Sequence, residues 1–436
     1  MRGMDWVESA EAIGEVDELL ASVGLGHGRR KTLAGTWQGG ERRAKGKEAG
    51  SQVPVNTTFQ KRYSGDNLGE GAVARSKKAA GQPPSGIGVV RAAGWERYAW
   101  LRHGFSTRAR GVSAVYSQGE GEGSLNLGFT KEDEAVNVVE NRRRFLAEVA
   151  GVPTSQDRDP FDKLRAGSST SSGQVMGHPA GLVTLRQVHS GMVRVIGRAG
   201  VEDGAVSPTS QKRDVGHPAS DIRMGLARLE TADGRAVLRG DGMMTDVPGV
   251  MLGVQVADCV PVLVADVRRR AVAAFHAGWR GTLARIVERG IGRMRLRYGS
   301  RPEDLVAVVG PAIGACCYSV GEEVRNEFES QFGYAAELFS EVYDSDPVRD
   351  KYPLLFLTAR APGHSNIGPQ IHLDLWEANR RQLLDAGLKA KRITVVGECT
   401  ACARVGVGAG LGALKYFSHR GESGFAGRMM AVVGVQ

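Results

Sequence analysis

The most constraining stretch of this chain is residues 250–277. VMLGVQVADCVPVLVAD is its most apolar run, rich in β-branched residues, and it ends in a charged turn at Asp266-Val267-Arg268-Arg269-Arg270. AVAAFHA then resumes the apolar run. Strand, short polar turn and strand together are a hairpin signal. With Val267 and Arg268 at the centre of the turn, Asp266 opposes Arg269, and Cys259 opposes His276 on the same face. Opposed Cβ atoms lie about 4.5–5.5 Å apart. A sulfur and an imidazole nitrogen from such a pair reach one Zn²⁺ at about 2.3 and 2.0–2.1 Å. Pro261 belongs at an edge or a bulge, and a bulge shifts this register by one residue.

Other elements surround the hairpin. Residues 183–197 alternate like a half-buried strand, 305–322 read as a buried strand followed by a Gly/Pro turn that carries Cys316, Cys317 and Tyr318, and 393–400 as another strand. Leu283, Ile286, Val287, Ile291 and Met294 mark a helix with Thr282 as its N-cap. Residues 372–388 read as a helix stopped by Gly387. The turn Ala277-Gly278-Trp279-Arg280-Gly281-Thr282 joins strand to helix. Glycine-flanked turns of this kind offer free N–H groups to an anion, and Arg280 suits phosphate.

The rest of the chain has a different character. Sixty glycines in 436 residues are about twice the usual share, and many fall in low-complexity sequence. Residues 1–28 hold one basic and six acidic residues, and residues 29–80 twelve basic and four acidic. The excess positive charge is therefore concentrated in a Gly/Ser/Gln/Lys-rich stretch that does not fold alone. We read residues 1–90 as a low-complexity extension, with a short amphipathic helix expected at 5–23, and residues 91–436 as one domain. Phosphate contacts from the basic stretch would suit nucleic acid, but stacking aromatics are sparse there, so nucleic acid is not the expected partner. Residues 154–180 and 203–234 read as insertions. They share the fragments Thr154-Ser155-Gln156-x-Arg158-Asp159 and Thr209-Ser210-Gln211-x-Arg213-Asp214, and surface loops accept such additions. Residues 345–370 read as a third expansion.

No run of 18 apolar residues occurs, so no membrane span is expected. The N-terminus lacks an apolar signal core, and the five cysteines are an odd number. Both features point to a reducing, cytoplasmic setting. Cys399-Thr400-Ala401-Cys402 is a CxxC pair, and Cys316 and Cys317 are adjacent. Adjacent cysteines are poor zinc spacing, so a four-cysteine site is not the expected reading.

Several motifs, in order, carry a resemblance. They are Gln187-Val188-His189, Asp241-Gly242-x-x-Thr245, Ala257-Asp258-Cys259-Val260-Pro261, His276-Ala277-Gly278-Trp279-Arg280-Gly281, Gly310-Pro311-Ala312-Ile313 with Cys317-Tyr318, His372-Leu373-Asp374-Leu375 with Asn379-Arg380, Cys399-Thr400, and Phe417-Ser418-x-Arg420. A weaker match runs from His103 to Arg108 and on to Asn126-Leu127. The chain resembles the YfiH/LACC1 family over about residues 95–435. That family is also labelled multicopper polyphenol oxidase, or laccase domain protein. The resemblance implies an α/β fold: a single domain of mixed β-sheets flanked by helices, here with a disordered N-terminal extension and loop insertions. It implies zinc held by His189, Cys259 and His276. It also implies phosphorolysis of adenosine, inosine, guanosine and methylthioadenosine, with adenosine deamination as a second reaction. The partners are then purine nucleosides and phosphate, and the chain is a monomer or homodimer.

Three protein ligands leave one zinc position open, where bound water becomes a nucleophile. Deamination also needs a general acid/base; Asp258 is the neighbour at hand, but strand alternation can turn it to the opposite face, where it would serve as a structural hydrogen-bond acceptor instead. Arg108 and Arg280 are the expected phosphate holders, and Asn126 joins Arg108 as a substrate-binding residue. Where the family usually has Arg-x-Gly-Gly-x-Ser, Arg110 stands in place of the first glycine. Two other functions compete. A copper oxidase can use a His₂Cys set, but a trinuclear oxygen-reducing cluster needs many more histidines than the domain's His103, His189, His276, His372 and His419. A non-enzymatic protein with a structural zinc and a nucleic-acid-binding arm predicts steeply salt-dependent binding.

Overall fold

The computed structural model describes residues 87–117, 123–151, 181–198, 200–201, 236, 238–342, 370–405 and 412–436. The expected helix at 5–23, both insertions and nearly all of the expansion at 345–370 lie outside these residues. The described part belongs to the unit Thr57–Gln436. Among the described residues, no helix is long and apolar enough to cross a membrane.

In chain order the elements begin with β1 (Val89–Val90), β2 (Leu101–Ser106), β3 (Ala109–Gly111), β4 (Gly123–Ser124) and α1 (Ala135–Ala150). Next come β5 (Leu182–Thr184), β6 (Val193–Gly197), β7 (Gly200–Val201), β8 (Gly242–Thr245), β9 (Met251–Val256), β10 (Val260–Asp266) and β11 (Ala271–Ala277). α2 (Trp279–Leu283) and α3 (Ile286–Tyr298) lead to β12 (Leu305–Val309), β13 (Ser319–Val320) and α4 (Glu322–Gln331). β14 (Phe339–Val342), β15 (Gln370–Leu373), α5 (Leu375–Asp385), β16 (Ile393–Val395) and β17 (Met429–Val435) complete the series. The first strand begins at Val89, inside the stretch assigned to the extension.

Two mixed sheets dominate. One has the order β1-β2-β17-β9-β5, the other β16-β12-β10-β11-β8-β6-β7. Most pairs are antiparallel, while β5/β9, β6/β8 and β12/β16 are parallel. Period-two alternation divides the central strands between two cores. Val262, Val264, Ala273, Phe275, Ala307 and Val309 share a core with Ile286 and Ile291 of α3 and Leu383 of α5. Leu263, Ala265, Val272, Ala274, Val306 and Val308 instead meet Leu252, Val254, Ala431 and Val433 of the other sheet. The outer face of that other sheet, at Met251, Met430 and Val432, packs on Phe145, Leu146 and Val149 of α1. The layers are helix, sheet, sheet, helix. Burial on both faces explains why these strands read as continuous apolar runs and not as alternating ones. α3 approaches β11 closely at Gly290, where an added Cβ would collide with the Phe275 ring.

Four expectations need correction. The strand expected over 183–197 is two strands in different sheets, β5 and β6, separated by a loop that carries His189. The run 250–266 likewise divides into β9 and β10, with Ala257-Asp258-Cys259 crossing between the sheets. The helix expected from 282 starts at Trp279, capped by Gly278, and is interrupted at Arg285, which has φ of 54°. Thr282 is buried within α2, and its Oγ1 accepts from Asn379 Nδ2 at 3.1 Å. Finally, His372 and Leu373 end β15, and the helix begins only after Asp374, whose carboxylate accepts from Glu377 N–H.

The hairpin register also differs. Asp266 pairs with Ala271 and Pro261 with His276, so the turn holds four residues, Val267 to Arg270. Cys259 therefore precedes the ladder, diagonal to His276. The displacement is an even number of positions, so both side chains stay on one face. An odd slip would have separated them.

Candidate metal centre

Two crossovers between the sheets build the site. The loop 185–192 leaves β5 for β6, and residues 257–259 leave β9 for β10. β5 and β9 are neighbours in one sheet, so the two crossovers leave it side by side. Gln187 fastens them together: its Nε2 donates to Gln255 O at 2.8 Å, and its Oε1 accepts from Gln255 N at 2.7 Å.

His189, Cys259 and His276 offer three ligand atoms, all within 4.8 Å of one another. Cys259 Sγ lies 3.8 Å from His189 Nε2. Tetrahedral bonds of about 2.3 Å to sulfur and 2.0–2.1 Å to nitrogen place such atoms about 3.6 Å apart, close to that separation. The two imidazole rings meet edge-on with centroids 4.9 Å apart. Gly278 leaves the necessary room, since a Cβ there would lie 2.8 Å from Cys259 Sγ and 3.2 Å from His189 Cδ2. The donor set and its spacing fit a zinc ion.

One buried carboxylate organises this group. Asp241 Oδ1 accepts from His189 N–H at 2.9 Å and pairs with His276 Nδ1 at 2.9 Å. Its Oδ2 accepts from Ser190 N–H at 2.6 Å and the Ser190 hydroxyl at 2.7 Å, and Val188 N–H also donates to this carboxylate. His189 sits in the left-handed region at φ 59°, and these donors hold it there. Bonding through Nδ1 leaves His276 Nε2 as the ligand atom, the orientation that a carboxylate behind a metal-bound histidine imposes. Burial opposes ionisation of Asp241, but the bonds from His276 and Ser190 outweigh it and bring its pKa down to about 2. Burial likewise opposes charge on Cys259 and His276. Their mutual attraction prevails, with His189 helping Cys259 and Asp241 helping His276. The thiol falls to about 6, and the imidazole rises to about 9. The protein thus favours a thiolate here, the protonation state that binds a metal.

The three residues open into a cavity of about 1010 Å³. Arg142, Arg186, Arg420 and Arg428 line it, together with Phe129, Gln187, Tyr318 and His419. Burial, aided by the nearby Cys259, pushes Tyr318 up to about 12, so its hydroxyl remains a donor.

The other expected site residues take varied places. Asp258 borders the cavity at φ 89°, but its carboxylate is occupied. Oδ1 accepts from the Thr400 and Ser418 hydroxyls, each at 2.7 Å, and Oδ2 from Arg420 N–H at 2.6 Å. Arg280 is exposed, stacks over Trp279 at 4.3 Å and stands outside the cavity lining. Arg108 is buried away from the cavity, where it pairs with Glu422 at 2.9 Å and donates to the Tyr116 and Tyr416 carbonyls. Asn126 lies behind the cavity wall. Its Oδ1 accepts from Arg428 N–H at 2.8 Å, and its Nδ2 donates to Asp133 at 2.7 Å. Reading the sequence residue by residue misses Asp241 and the four cavity arginines. The pairing of Asp241 with a following glycine is visible as a motif, but nothing local ties it to His189. The arginines come from three separate segments, at 142, at 186 and at 420–428.

Arg110, at the position where a glycine is usual, adopts φ of 68°. The β3–β4 register shifts at this point. The backbone shape that favours glycine is thus kept with an arginine in it.

Fold and site together define an α/β protein of mixed sheets with a His–Cys–His group able to hold a metal ion at a double sheet crossover. A family model described as multi-copper polyphenol oxidoreductase laccase matches residues 102–158 and 165–436, and the chain belongs to that family, the YfiH/LACC1 family of the sequence resemblance. A relative named purine nucleoside phosphorylase YlmD, from Geobacillus stearothermophilus, is 30% identical over 344 residues, covering 78% of this chain and 95% of the relative. A protein named adenosine deaminase RL5, from an unknown prokaryotic organism, is 31% identical over 40% of this chain and 58% of its own length. The crystal structure of the Geobacillus stearothermophilus YlmD matches with a TM-score of 0.50 at 28% identity, over 80% of this chain and 99% of that one. The crystal structure of a Bacillus licheniformis hypothetical protein YfiH shares the fold, with a TM-score of 0.54 over 81% of this chain and 98% of that one, at 24% identity.

Proposed function

We propose that this protein is a zinc-dependent purine nucleoside phosphorylase, acting on adenosine, inosine, guanosine and methylthioadenosine, with adenosine deamination as a second activity. The observation that carries the reading is the His189–Cys259–His276 group opening into an arginine-lined cavity. The names of the relatives agree with it. Zinc held by these residues would supply a Lewis acid, or a bound water of lowered pKa.

The chain's own residues supply the rest. Phosphate is a nucleophile only when held and oriented, and arginines do this with paired N–H donors. Arg186, Arg420 and Arg428 are the holders we assign, in place of Arg108 and Arg280. Asp258 positions Arg420 by accepting its backbone N–H. Tyr318 also lines this space, and its hydroxyl can bond the base or ribose. Phe129 offers an apolar face to the purine.

The test is incubation with each nucleoside and phosphate, with chromatography of the products. Wild-type protein should release free base and ribose 1-phosphate. Cys259→Ala and His276→Ala should lose at least about 100-fold in rate. Undiminished base release by both variants would refute the site assignment. Copper at one equivalent with no zinc, together with phenol oxidation, would favour the oxidase.

A further inference from the structure

The four remaining cysteines converge on a second point. Cys316, Cys317, Cys399 and Cys402 present four sulfurs, all within 4.8 Å of one another. Adjacent cysteines point apart on an extended strand, but Cys316 and Cys317 lie in a turn: the N–H groups of Cys317 and Tyr318 both donate to Gly314 O, at 2.9 and 3.0 Å. Cys399 and Cys402 bracket a second turn, closed by Ala403 N–H to Cys399 O at 2.9 Å. The two turns are joined by the backbone pairing of Ala312 with Cys399. This packing overrides the poor spacing seen in the sequence.

We propose that these four cysteines form a second zinc site, of the all-thiolate structural kind. Tetrahedral Zn–S bonds of about 2.3 Å set neighbouring sulfurs about 3.8 Å apart. Cys316 and Cys402 Sγ stand 3.7 Å apart, and the 4.8 Å bound on the whole group lets small rotamer adjustments close the remaining pairs on one ion. Gly314 N–H points at Cys399 Sγ at 3.2 Å, the kind of bond that supports a coordinated thiolate. A single disulfide would use only two of the four sulfurs; two disulfides would use all four, and a thiol count separates that outcome from zinc binding.

The placement suggests what the ion does. Ile313 N–H donates to Asp258 O at 2.9 Å, and the Thr400 hydroxyl donates to Asp258 Oδ1. Both turns thus grip the residue before Cys259, and Tyr318 of the cavity wall follows Cys317 directly. The second ion would pin the wall of the first site without touching substrate. It is independent of the proposed activity, although a count of two ions rests on the first site also holding zinc.

The test measures metal in the full-length protein purified under reducing conditions. Wild type should hold about two zinc ions per chain, and Cys259→Ala about one. The Cys316→Ser/Cys402→Ser double variant should also hold about one. Cobalt substitution of Cys259→Ala keeps all four cysteines intact, so it does not depend on the double variant folding. It should give the visible bands and strong thiolate-to-metal charge transfer of tetrahedral cobalt with four sulfurs. Metal absent from Cys259→Ala, iron in place of zinc, or a metal-free protein with two or four thiols lost to disulfides would each overturn the proposal. Two zinc ions in a wild-type protein that turns over no nucleoside would instead overturn only the proposed function.

Discussion

Replacing Asp241 with asparagine preserves the shape of the side chain and removes its charge. The carboxylate accepts from three backbone N–H groups, the Ser190 hydroxyl and His276 Nδ1, and it is fully buried. An asparagine offers one oxygen for this set. If its Nδ2 takes the place of Oδ2, it faces Ser190 N–H, which cannot turn away. One buried N–H then goes unsatisfied, at about 1–3 kcal/mol, and the other bonds lose their charge assistance. The expected loss of stability is about 2–4 kcal/mol. Flipping the amide helps nothing, because Nδ2 then opposes His189 N–H and the His276 ring. The loop also loses the bonds that hold His189 at its positive φ. Changes of this kind behind a ligand typically weaken metal binding about 10–100-fold. Urea unfolding of the two proteins measures the first quantity, and zinc competition against a chromophoric chelator measures the second. Stability within about 0.5 kcal/mol of wild type, together with unchanged zinc affinity, would refute Asp241 as the organiser of the site.

Three further outcomes follow from named contacts. Gly278→Ala should push Cys259 Sγ and His189 aside, costing about 1–3 kcal/mol and at least about tenfold in zinc affinity; wild-type affinity would show that the turn yields freely. Arg110→Gly should raise stability by about 0.5–1 kcal/mol, because a left-handed conformation costs a residue with a Cβ about 1–2 kcal/mol and glycine gives part of that back in chain entropy; an unchanged melting temperature would argue against strain there. His103 is 4% exposed and accepts from Ala92 N–H, and burial, reinforced by Arg91, lowers its pKa from 6.5 to about 4. The unfolded chain therefore takes up a proton below pH 6.5 that the folded chain refuses until about pH 4. Stability should fall by about 3 kcal/mol across that window, and urea titrations of His103→Gln should lack this component.

The chain is most legible where burial and chemistry agree. β10, β11 and β12 are visible as apolar runs because they are covered on both faces, and the turn after Asp266 is visible because it is charged. The hairpin pattern pairs Cys259 with His276 despite a register displaced at the turn, since an even displacement keeps the face. The helix after Gly278 is less legible. Its periodicity is real, but the αL residue Arg285 divides it, and no local preference marks an arginine for that conformation. The runs 183–197 and 250–266 read as single strands because their crossovers are short and carry apolar residues (Leu185, Val188 and Met192 in one, Ala257 and Cys259 in the other) among the polar ones, so no long polar break marks the change of sheet. Charge makes Arg108 look like a phosphate ligand, and charge beside a glycine-flanked turn does the same for Arg280. Folding instead commits Arg108 to Glu422 and two carbonyls, and it draws the cavity arginines from elsewhere.

The α/β class comes with the family resemblance, while short segments are enough to settle the apolar strands, the glycine turn beside His276, and the residue types able to bind a soft divalent ion. Periodicity, backbone sterics and ligand chemistry act within a few residues, so these properties can be read along the chain. Which segments meet is a matter of tertiary structure. It brings the loop of His189 to the crossover of Cys259, places Asp241 beneath both histidines, and gathers two cysteine pairs separated by more than eighty residues. Such meetings depend on which sheet each strand joins, and that follows from burying both faces of two sheets at once.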